Sequence, residues 1–249
     1  MAEQSPWLLL PLALVAVLYA AVGHGGASGY IAVLALAGWP AAAIKPLALL
    51  LNVAVTAQGS LQFWRAGQLR WRLVMPLLLG ALPMAFVGGW LDLPVVWFQR
   101  LVALVLLVSA VRFVQQPRDP ETLRDPRPWV LALVGMGLGL LAGLTGTGGG
   151  VFLTPLLLLR GWALTRQAAA VSSVFIFGNS ISGLLGLFTS RQSLELVWGD
   201  QSLWMLVVVM LAGALGSRLG SRHWPVAWLW RLLALVLVLA ACKLLGFGA

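Results

Sequence analysis

Long apolar runs separated by short polar stretches dominate the chain. A helix of about 20 apolar residues spans the hydrocarbon core of a bilayer. Eight runs come close to this length, and they lie near 7–24, 46–64, 73–91, 94–112, 128–145, 168–190, 201–217 and 226–244. Two shorter apolar pieces, near 26–39 and 149–161, each accompany a run of glycines. The pattern predicts an all-α fold, a polytopic transmembrane helix bundle with two short helices among the longer ones.

The composition agrees with this class of protein. Hydrophobic residues make up 61% of the 249 residues, charged residues make up 9%, and the mean hydropathy is +0.95. A net charge of +9 would suggest nucleic acid in a soluble domain, but in a membrane protein it indicates Lys and Arg in cytoplasmic loops. We expect the lipid bilayer as a partner, and no nucleic acid. The single cysteine, Cys242, favours neither a disulfide nor a metal cluster, so no cofactor or metal is expected.

The two halves of the chain resemble each other. WFQRLVALVLLVSAVRF (97–113) matches WLWRLLALVLVLAACKL (228–244) at an offset of 131 residues. GHGGASG (23–29) matches GTGGGVF (146–152) at an offset of 123. Between the halves lies QQPRDPETLRDPRP, with four prolines and six charges, a composition typical of a linker. The pattern predicts a first transmembrane repeat at 1–114, a cytoplasmic linker at 115–128 and a second transmembrane repeat at 129–249.

The distribution of Lys and Arg indicates how the repeats are oriented. If both short pieces cross the membrane, 12 positive charges lie on the linker side and 4 on the other side. If the short pieces re-enter and leave on the same side, the division is 9 to 7. The positive-inside rule favours the first alternative, which makes the repeats inverted and places both termini outside. Since about 14 helical residues reach only about 21 Å, each short piece should be a short helix buried among its neighbours.

Each short helix adjoins a glycine break that a ligand can approach. Gly25-Gly26 and Gly148-Gly149-Gly150 occupy matching places in the two halves. Short, glycine-interrupted segments in inverted repeats often mark the central site of a transporter. A helix that begins at such a break presents backbone N–H groups and the positive end of its dipole, which favours an anion. The alternative is that these glycines only allow close helix packing.

The polar residues within the apolar runs are neutral. All seven acidic residues fall in the N-terminal tail, the linker or loops, which argues against a cation site. Hydroxyl and amide groups near the breaks could complete the shell of an oxyanion, or could simply join helices. The candidate substrate-binding residues are His24, Gly25, Gly26, Ser28, Asn52, Gln58, Thr147, Gly148, Gly149, Gly150, Ser172, Ser173 and Asn179.

His24 and Ser28 allow other interpretations. Histidine changes charge near neutral pH, so His24 suits a proton or anion switch, but it also suits an interfacial position facing water. Gly26-Ala27-Ser28-Gly29 matches the Gly-x-Ser-Gly sequence of rhomboid-type intramembrane serine proteases. That chemistry needs a histidine base beside the serine, whereas His24 lies only four residues upstream. We therefore predict no catalytic residues and no enzyme activity.

Three stretches resemble a known family of membrane proteins. GLTGTGGGVFLTPLLLLRGW (143–162), its weaker copy GHGGASGYIAVLALAGWP (23–40) and QFWRAGQLRWRLVMPLLLGAL (62–82) are similar to the TauE/SafE sulfite exporter family. The resemblance covers nearly the whole chain, and the stretch in the second half is its most specific part. The first half departs from the family pattern at His24, Ala27, Ser28 and Ala32.

The resemblance implies a function. Members of this family move sulfite, organosulfonates or related small sulfur anions across the bacterial inner membrane, usually outward. Because members differ in substrate, a transporter of another small organic anion is the alternative. Assembly into a homo-oligomer also stays open.

Overall fold

The fold is entirely helical in the residues that the computed structural model describes, which are 6–21, 23–115, 119–190, 200–220 and 227–246. A short 3-10 turn, Pro6–Leu8, leads into the first helix. The α-helices of this part are α1 (Leu9–Ala21), α2 (Ala27–Leu36), α3 (Ala41–Arg65), α4 (Trp71–Trp90), α5 (Val95–Gln115), α6 (Pro128–Thr145), α7 (Gly150–Leu159), α8 (Thr165–Thr189), α9 (Asp200–Gly220) and α10 (Ala227–Leu244). Each corresponds to one of the apolar runs or short pieces of the sequence.

Five of these helices are long and apolar enough to cross a membrane, and they are α3, α4, α5, α6 and α8. The short helices α2 and α7 have ten residues each, and most of their side chains are buried. The predicted all-α, polytopic membrane bundle with two short, buried helices is therefore confirmed. Of the charges used in the topology count, Arg118, Arg191 and Arg222 lie outside the described residues.

Helix boundaries differ from the prediction by a few residues at several ends, and two of these differences bear on the site. α1 ends at Ala21 rather than near 24, because Gly23 has a φ of +76°, which does not continue a right-handed helix. α3 begins at Ala41 rather than near 46, with Pro46 inside it. A proline in the second turn removes one hydrogen bond of the helix, and here it does not end the helix. α3 therefore carries Lys45 into the bundle, where it is buried.

The helix contacts agree with the predicted repeat of the two halves. In the predicted repeat, α1 corresponds to α6 and α4 corresponds to α9. α4 packs along α6, and in the same way α9 packs along α1. α3 packs against α8, and α5 against α10. α3 and α8 run antiparallel, since Ser60 near the end of α3 lies 3.3 Å, oxygen to oxygen, from Ser173 near the start of α8. These contacts support the repeat and its inversion, which stay predictions.

Glycines bring α4 and α6 into backbone contact. Gly80 and Gly88 of α4 lie against the carbonyl oxygens of Ala132 and Leu140. In return, Gly135, Gly139 and Gly143 of α6 lie against carbonyl oxygens of α4. A side chain at any of these glycines would collide with backbone, so the two helices can approach only because the side chains are missing. Close helix packing therefore explains the glycines between α4 and α6, but it does not explain those of the two breaks.

One end of the bundle, here called the linker face, is held together by polar contacts. The guanidinium of Arg70 donates to the carbonyl of Trp162 and forms an ion pair with Asp125, both at 2.8 Å. The amide of Arg124 donates to the carbonyl of Gly161 at 2.7 Å. Thus the α3–α4 loop, the α7–α8 loop and the linker lie on the same face.

Asp119 adds a further contact on the linker face. Its carboxylate accepts hydrogen bonds from the hydroxyl and the amide of Thr165, at 2.5 and 2.6 Å. These bonds favour the ionised form and lower the pKa of Asp119. The contact ties the linker to the first turn of α8.

The opposite face carries its own cations. The ammonium of Lys45 donates to the carbonyls of Gly88 and Gly89 at the end of α4, at 3.2 and 3.3 Å. The ammonium of Lys243 donates to the carbonyl of Leu36 at the end of α2, at 2.8 Å. α2 therefore ends at the opposite face, whereas α7 ends at the linker face beside Gly161. Both short helices begin in the interior of the bundle.

Candidate functional site

The second break lies between α6 and α7 and consists mainly of glycine. Gly146, Gly148 and Gly149 have φ values of +79°, +71° and +79°, a left-handed conformation that other residues adopt only with strain. No side chain caps the start of α7. None of the hydrogen bonds described for this part of the chain uses the N–H of Gly150 or Val151. The break therefore presents unpaired donors at the positive end of a helix.

Two polar side chains approach this break, each with one atom that lacks a hydrogen-bond partner in the described residues. A methyl group placed on Gly148 would lie 2.7 Å from Nδ2 of Asn52 and 3.4 Å from the hydroxyl of Ser180. Both side chains are fully buried. Within the described residues, neither Nδ2 of Asn52 nor the hydroxyl of Ser180 has a hydrogen-bond partner. Buried polar groups normally find a partner, so these atoms point to a ligand.

Asn52 also reaches the first break. Its Oδ1 accepts a hydrogen bond of 3.1 Å from the amide of Ala27, the first residue of α2. Gly25 lies directly against Oδ1 as well, and only a glycine fits there. The amide of Asn52 is thereby oriented, with its oxygen towards α2 and its nitrogen towards α7. One side chain thus connects the two breaks.

The remaining polar groups of the first break are largely paired within the protein. The hydroxyls of Ser28 and Tyr19 form a hydrogen bond of 2.8 Å. His24 is buried, and its ring meets that of Tyr19 edge to face at 6.4 Å between centroids. Its exposed fraction of 7% argues against the interfacial position considered for it. The hydroxyl of Tyr30, close to Gly26, has no partner in the described residues.

α8 supplies the wall of the second break. The ring of Phe175 lies 3.1 Å from a methyl group placed on Gly149, and Ile176 occupies the space beside Gly150. Asn179 follows Phe175 by one turn on the same helix face. Asn179 is fully buried, and both its Oδ1 and its Nδ2 lack a partner in the described residues.

Three predicted residues serve mainly to join parts of the bundle. Ser172 accepts a hydrogen bond of 2.7 Å from Thr154, which ties α7 to α8. Ser173 contacts Ser60 and the carbonyl of Thr56, and so joins α3 to α8. Thr147 shares a hydrogen bond of 2.8 Å with Thr145 inside the break. Their hydroxyls already have partners within the protein.

Gln58 is not brought to the break. It follows Asn52 by six residues, which is a rotation of about 240° around a helix. Its side chain therefore points from a different face of α3. Its Oε1 has no partner in the described residues, and no contact connects it to either break.

Sequence reasoning missed three buried groups near the breaks. Tyr19 and Tyr30 lie within apolar runs and read as ordinary core aromatics. Lys45 stands just before Pro46, where the predicted span near 46–64 begins. Pro40 is the sequence signal that could have identified Lys45, because a proline commonly stands at the start of a helix. A helix that starts after Pro40 includes Lys45 and has Pro46 in its second turn.

The acidic residues of the described part do not contribute to the site. Asp92, Asp119, Glu121 and Asp125 lie in loops or in the linker, whereas Asp200, expected in a loop, is the first residue of α9. No group of His, Cys, Asp or Glu that could hold a metal ion occurs among the residues described. The site therefore consists of backbone amides, side-chain amides and hydroxyls, with the side chain of Lys45 at its edge beside Gly146.

A helix bundle with short helices that begin in its interior, at glycine breaks, is the architecture of a membrane transport protein. The chain belongs to the sulfite exporter TauE/SafE family, whose model matches residues 8–244. It is accordingly an integral membrane transporter and not an enzyme, which rejects the protease interpretation of Ser28. The predicted family is confirmed.

Individual relatives agree with this family. The chain is 36% identical to the probable membrane transporter protein y4hK of Sinorhizobium fredii, over 96% of this chain and 97% of the relative. It is 28% identical to the probable membrane transporter protein MamO of Paramagnetospirillum magneticum, over 72% of this chain but only 34% of MamO. No solved structure matches the chain.

Proposed function

We propose that the protein moves a small sulfur oxyanion, sulfite or an organosulfonate, outward across the bacterial inner membrane, and binds it at the second break. The observation that carries this proposal is the group of buried, unpartnered donors around Gly148, namely Nδ2 of Asn52, the hydroxyl of Ser180 and the first amides of α7. Amide and hydroxyl donors at a helix N-terminus suit the oxygens of an anion.

The positive charges support a cytoplasmic linker face. Among the residues whose side chains the structure describes, nine arginines lie at helix ends or loops of the linker face, and they are Arg65, Arg70, Arg72, Arg112, Arg124, Arg127, Arg160, Arg166 and Arg218. The opposite face has Lys45, Arg100 and Lys243. By the positive-inside rule the linker is cytoplasmic and both termini are outside.

The membrane potential supplies a driving force for outward transport. With the cytoplasm negative, one negative charge that leaves the cell gains about 2.3 kcal/mol per 100 mV. This gain corresponds to a concentration ratio of roughly fiftyfold. Outward movement of an anion therefore needs no coupling ion.

The proposal is tested by efflux of sulfite from proteoliposomes that contain the purified protein. We expect efflux that rises when an inside-negative potential is imposed. Gly148→Ala should abolish it, since the added methyl group meets Nδ2 of Asn52 and the side chain of Ile176 at 2.7 and 2.6 Å. If Gly148→Ala proteoliposomes release sulfite at the unmodified rate, the site is elsewhere.

Gly38→Ala is the matched control. Gly38 has a φ of +79°, similar to the +71° of Gly148, so both substitutions strain the backbone alike. A methyl group on Gly38 meets no atom within 4 Å. Gly38→Ala should therefore keep its efflux, and any loss in Gly148→Ala can be assigned to the space beside Asn52.

A further inference from the structure

We propose that the second break selects an oxyanion that carries a single negative charge and a hydrogen-bond donor of its own, and that it rejects dianions. This inference rests on the anion site proposed above. It concerns the chemical class of the substrate, and it follows from the charge and from the unpartnered atoms of the site.

Among the described residues, Lys45 is the cationic side chain that lies at the edge of the second break. The side chains nearest to Gly148, Gly149 and Gly150 are uncharged, and they are those of Asn52, Ala142, Ser172, Phe175, Ile176 and Ser180. The dipole of α7 supplies roughly half an elementary charge. Lys45 lies beside Gly146, where an added methyl group would meet its Cγ at 3.3 Å. Its ammonium donates to two carbonyls at the end of α4, and His24 belongs to the first break.

A dianion is too costly for such surroundings. The free energy of moving an ion out of water grows with the square of its charge, so a dianion costs about four times as much as a monoanion of the same size. Neutral donors and one helix dipole can offset a single charge far better than two. The site therefore favours a monoanion.

Asn179 shows what else the ligand must offer. Its Oδ1 and its Nδ2 both lack partners, so the amide keeps an unsatisfied acceptor whichever way it is turned. A fully deprotonated anion such as sulfate cannot donate to that oxygen. An anion with an O–H or N–H group can donate to the acceptor and accept from the donor of the same amide.

Three anions of nearly the same size and shape separate these properties. Sulfate is doubly charged at neutral pH, methanesulfonate is singly charged without a donor, and sulfamate is singly charged with an N–H donor. Each is loaded into proteoliposomes, and its release is followed by ion chromatography with the membrane potential held at zero. At zero potential the second charge of sulfate adds no driving force.

We expect sulfamate to leave about three to ten times faster than methanesulfonate, the effect of one hydrogen bond. Sulfate should leave at least roughly tenfold more slowly than methanesulfonate. Sulfate release as fast as that of methanesulfonate overturns the inference, and so does sulfamate release no faster than that of methanesulfonate. If none of these anions nor sulfite is released, the proposed function fails and the inference falls with it.

Asn179→Leu tests the role assigned to the amide. Leucine has a similar volume and removes atoms that have no partner, so the fold should tolerate it; a thermal melt checks this. The variant should release sulfamate and methanesulfonate at equal rates but still discriminate against sulfate. A preference for sulfamate that persists in folded Asn179→Leu overturns the assignment.

Discussion

The two glycine breaks share a sequence pattern but use their polar groups differently. At the first break, the leading amide of α2 is bonded to Asn52, and Ser28 is bonded to Tyr19. At the second break, Nδ2 of Asn52 and the hydroxyl of Ser180 have no partners in the described residues. Apart from the hydroxyl of Tyr30 beside Gly26, the described polar groups of the first break are paired within the protein, whereas these two atoms of the second are not. The repeated motif therefore duplicates a backbone framework without duplicating its hydrogen bonds.

Substitution of Asn52 should have the largest effect, because this side chain contacts both breaks. Asn52→Leu removes both the acceptor for the amide of Ala27 and the donor at Gly148. We expect sulfite efflux to fall by roughly a hundredfold or more, together with a loss of about 1–3 kcal/mol of stability from the unpaired amide. Efflux assays and thermal melts measure the two effects.

Asn52→Asp separates the two roles of this side chain. The carboxylate keeps the acceptor for Ala27 but replaces the donor at the second break with a negative charge. Stability should stay closer to that of the unmodified protein than in Asn52→Leu, while efflux is lost. Normal efflux in Asn52→Asp would contradict the account of the second break.

Ser180 tests the second break alone. Its hydroxyl has no partner in the described residues, so Ser180→Ala should weaken substrate binding by about three- to tenfold with little change in stability. Ser182 on the same helix is the control, since its hydroxyl donates to the carbonyl of Leu82 at 2.6 Å. Ser182→Ala should lower the melting temperature and leave the substrate concentration for half-maximal efflux unchanged. The opposite result would place the ligand near Ser182.

Ser28 tests the first break alone. Because its hydroxyl is bonded to Tyr19, Ser28→Ala should cost about 1 kcal/mol of stability and change efflux by less than about threefold. Tyr19→Phe removes the same hydrogen bond from the other side and should match it. An efflux loss as large as that of Ser180→Ala would show that the anion also contacts the first break.

Asp119 lies outside both breaks and should have the smallest effect on transport. Its bonds to Thr165 lower its pKa in the folded protein, so the stability they add is present above the pKa of the unfolded chain. That stability is lost as the pH falls through the folded pKa. Melting temperatures measured over a pH series should fall less steeply at acid pH in Asp119→Asn, while efflux at neutral pH stays unchanged. If the melting temperatures of both proteins fall equally at acid pH, the loss of stability comes from another group.

The sequence is sufficient to predict the helices and the family, because apolar run length and glycine position are local properties of the chain. The short helices α2 and α7 fall where the glycine runs place them. The start of α3 is harder to predict, since both Pro40 and Pro46 can precede a helix and the sequence alone does not choose between them.

The candidate site is harder to derive from sequence. Asn52 and Asn179 were identified as polar residues in apolar runs, and both lie buried with unpartnered atoms. The roles of Ser172 and Ser173 depend on which hydroxyl faces them across two helices, which no spacing specifies. The difference between the breaks likewise comes from one side chain, Asn52, whose oxygen turns to α2 and whose nitrogen turns to α7.

The central claim is that the anion binds at the second break while the first supports it. We would label the protein with ¹⁵N-glycine, reconstitute it in bilayers and record the glycine amide signals during a titration with sulfite. Signals of Gly148, Gly149 and Gly150 should move in a saturable way, with much smaller changes at Gly25 and Gly26. Saturable shifts confined to Gly25 and Gly26, or none at either break while sulfite efflux persists, would contradict the account.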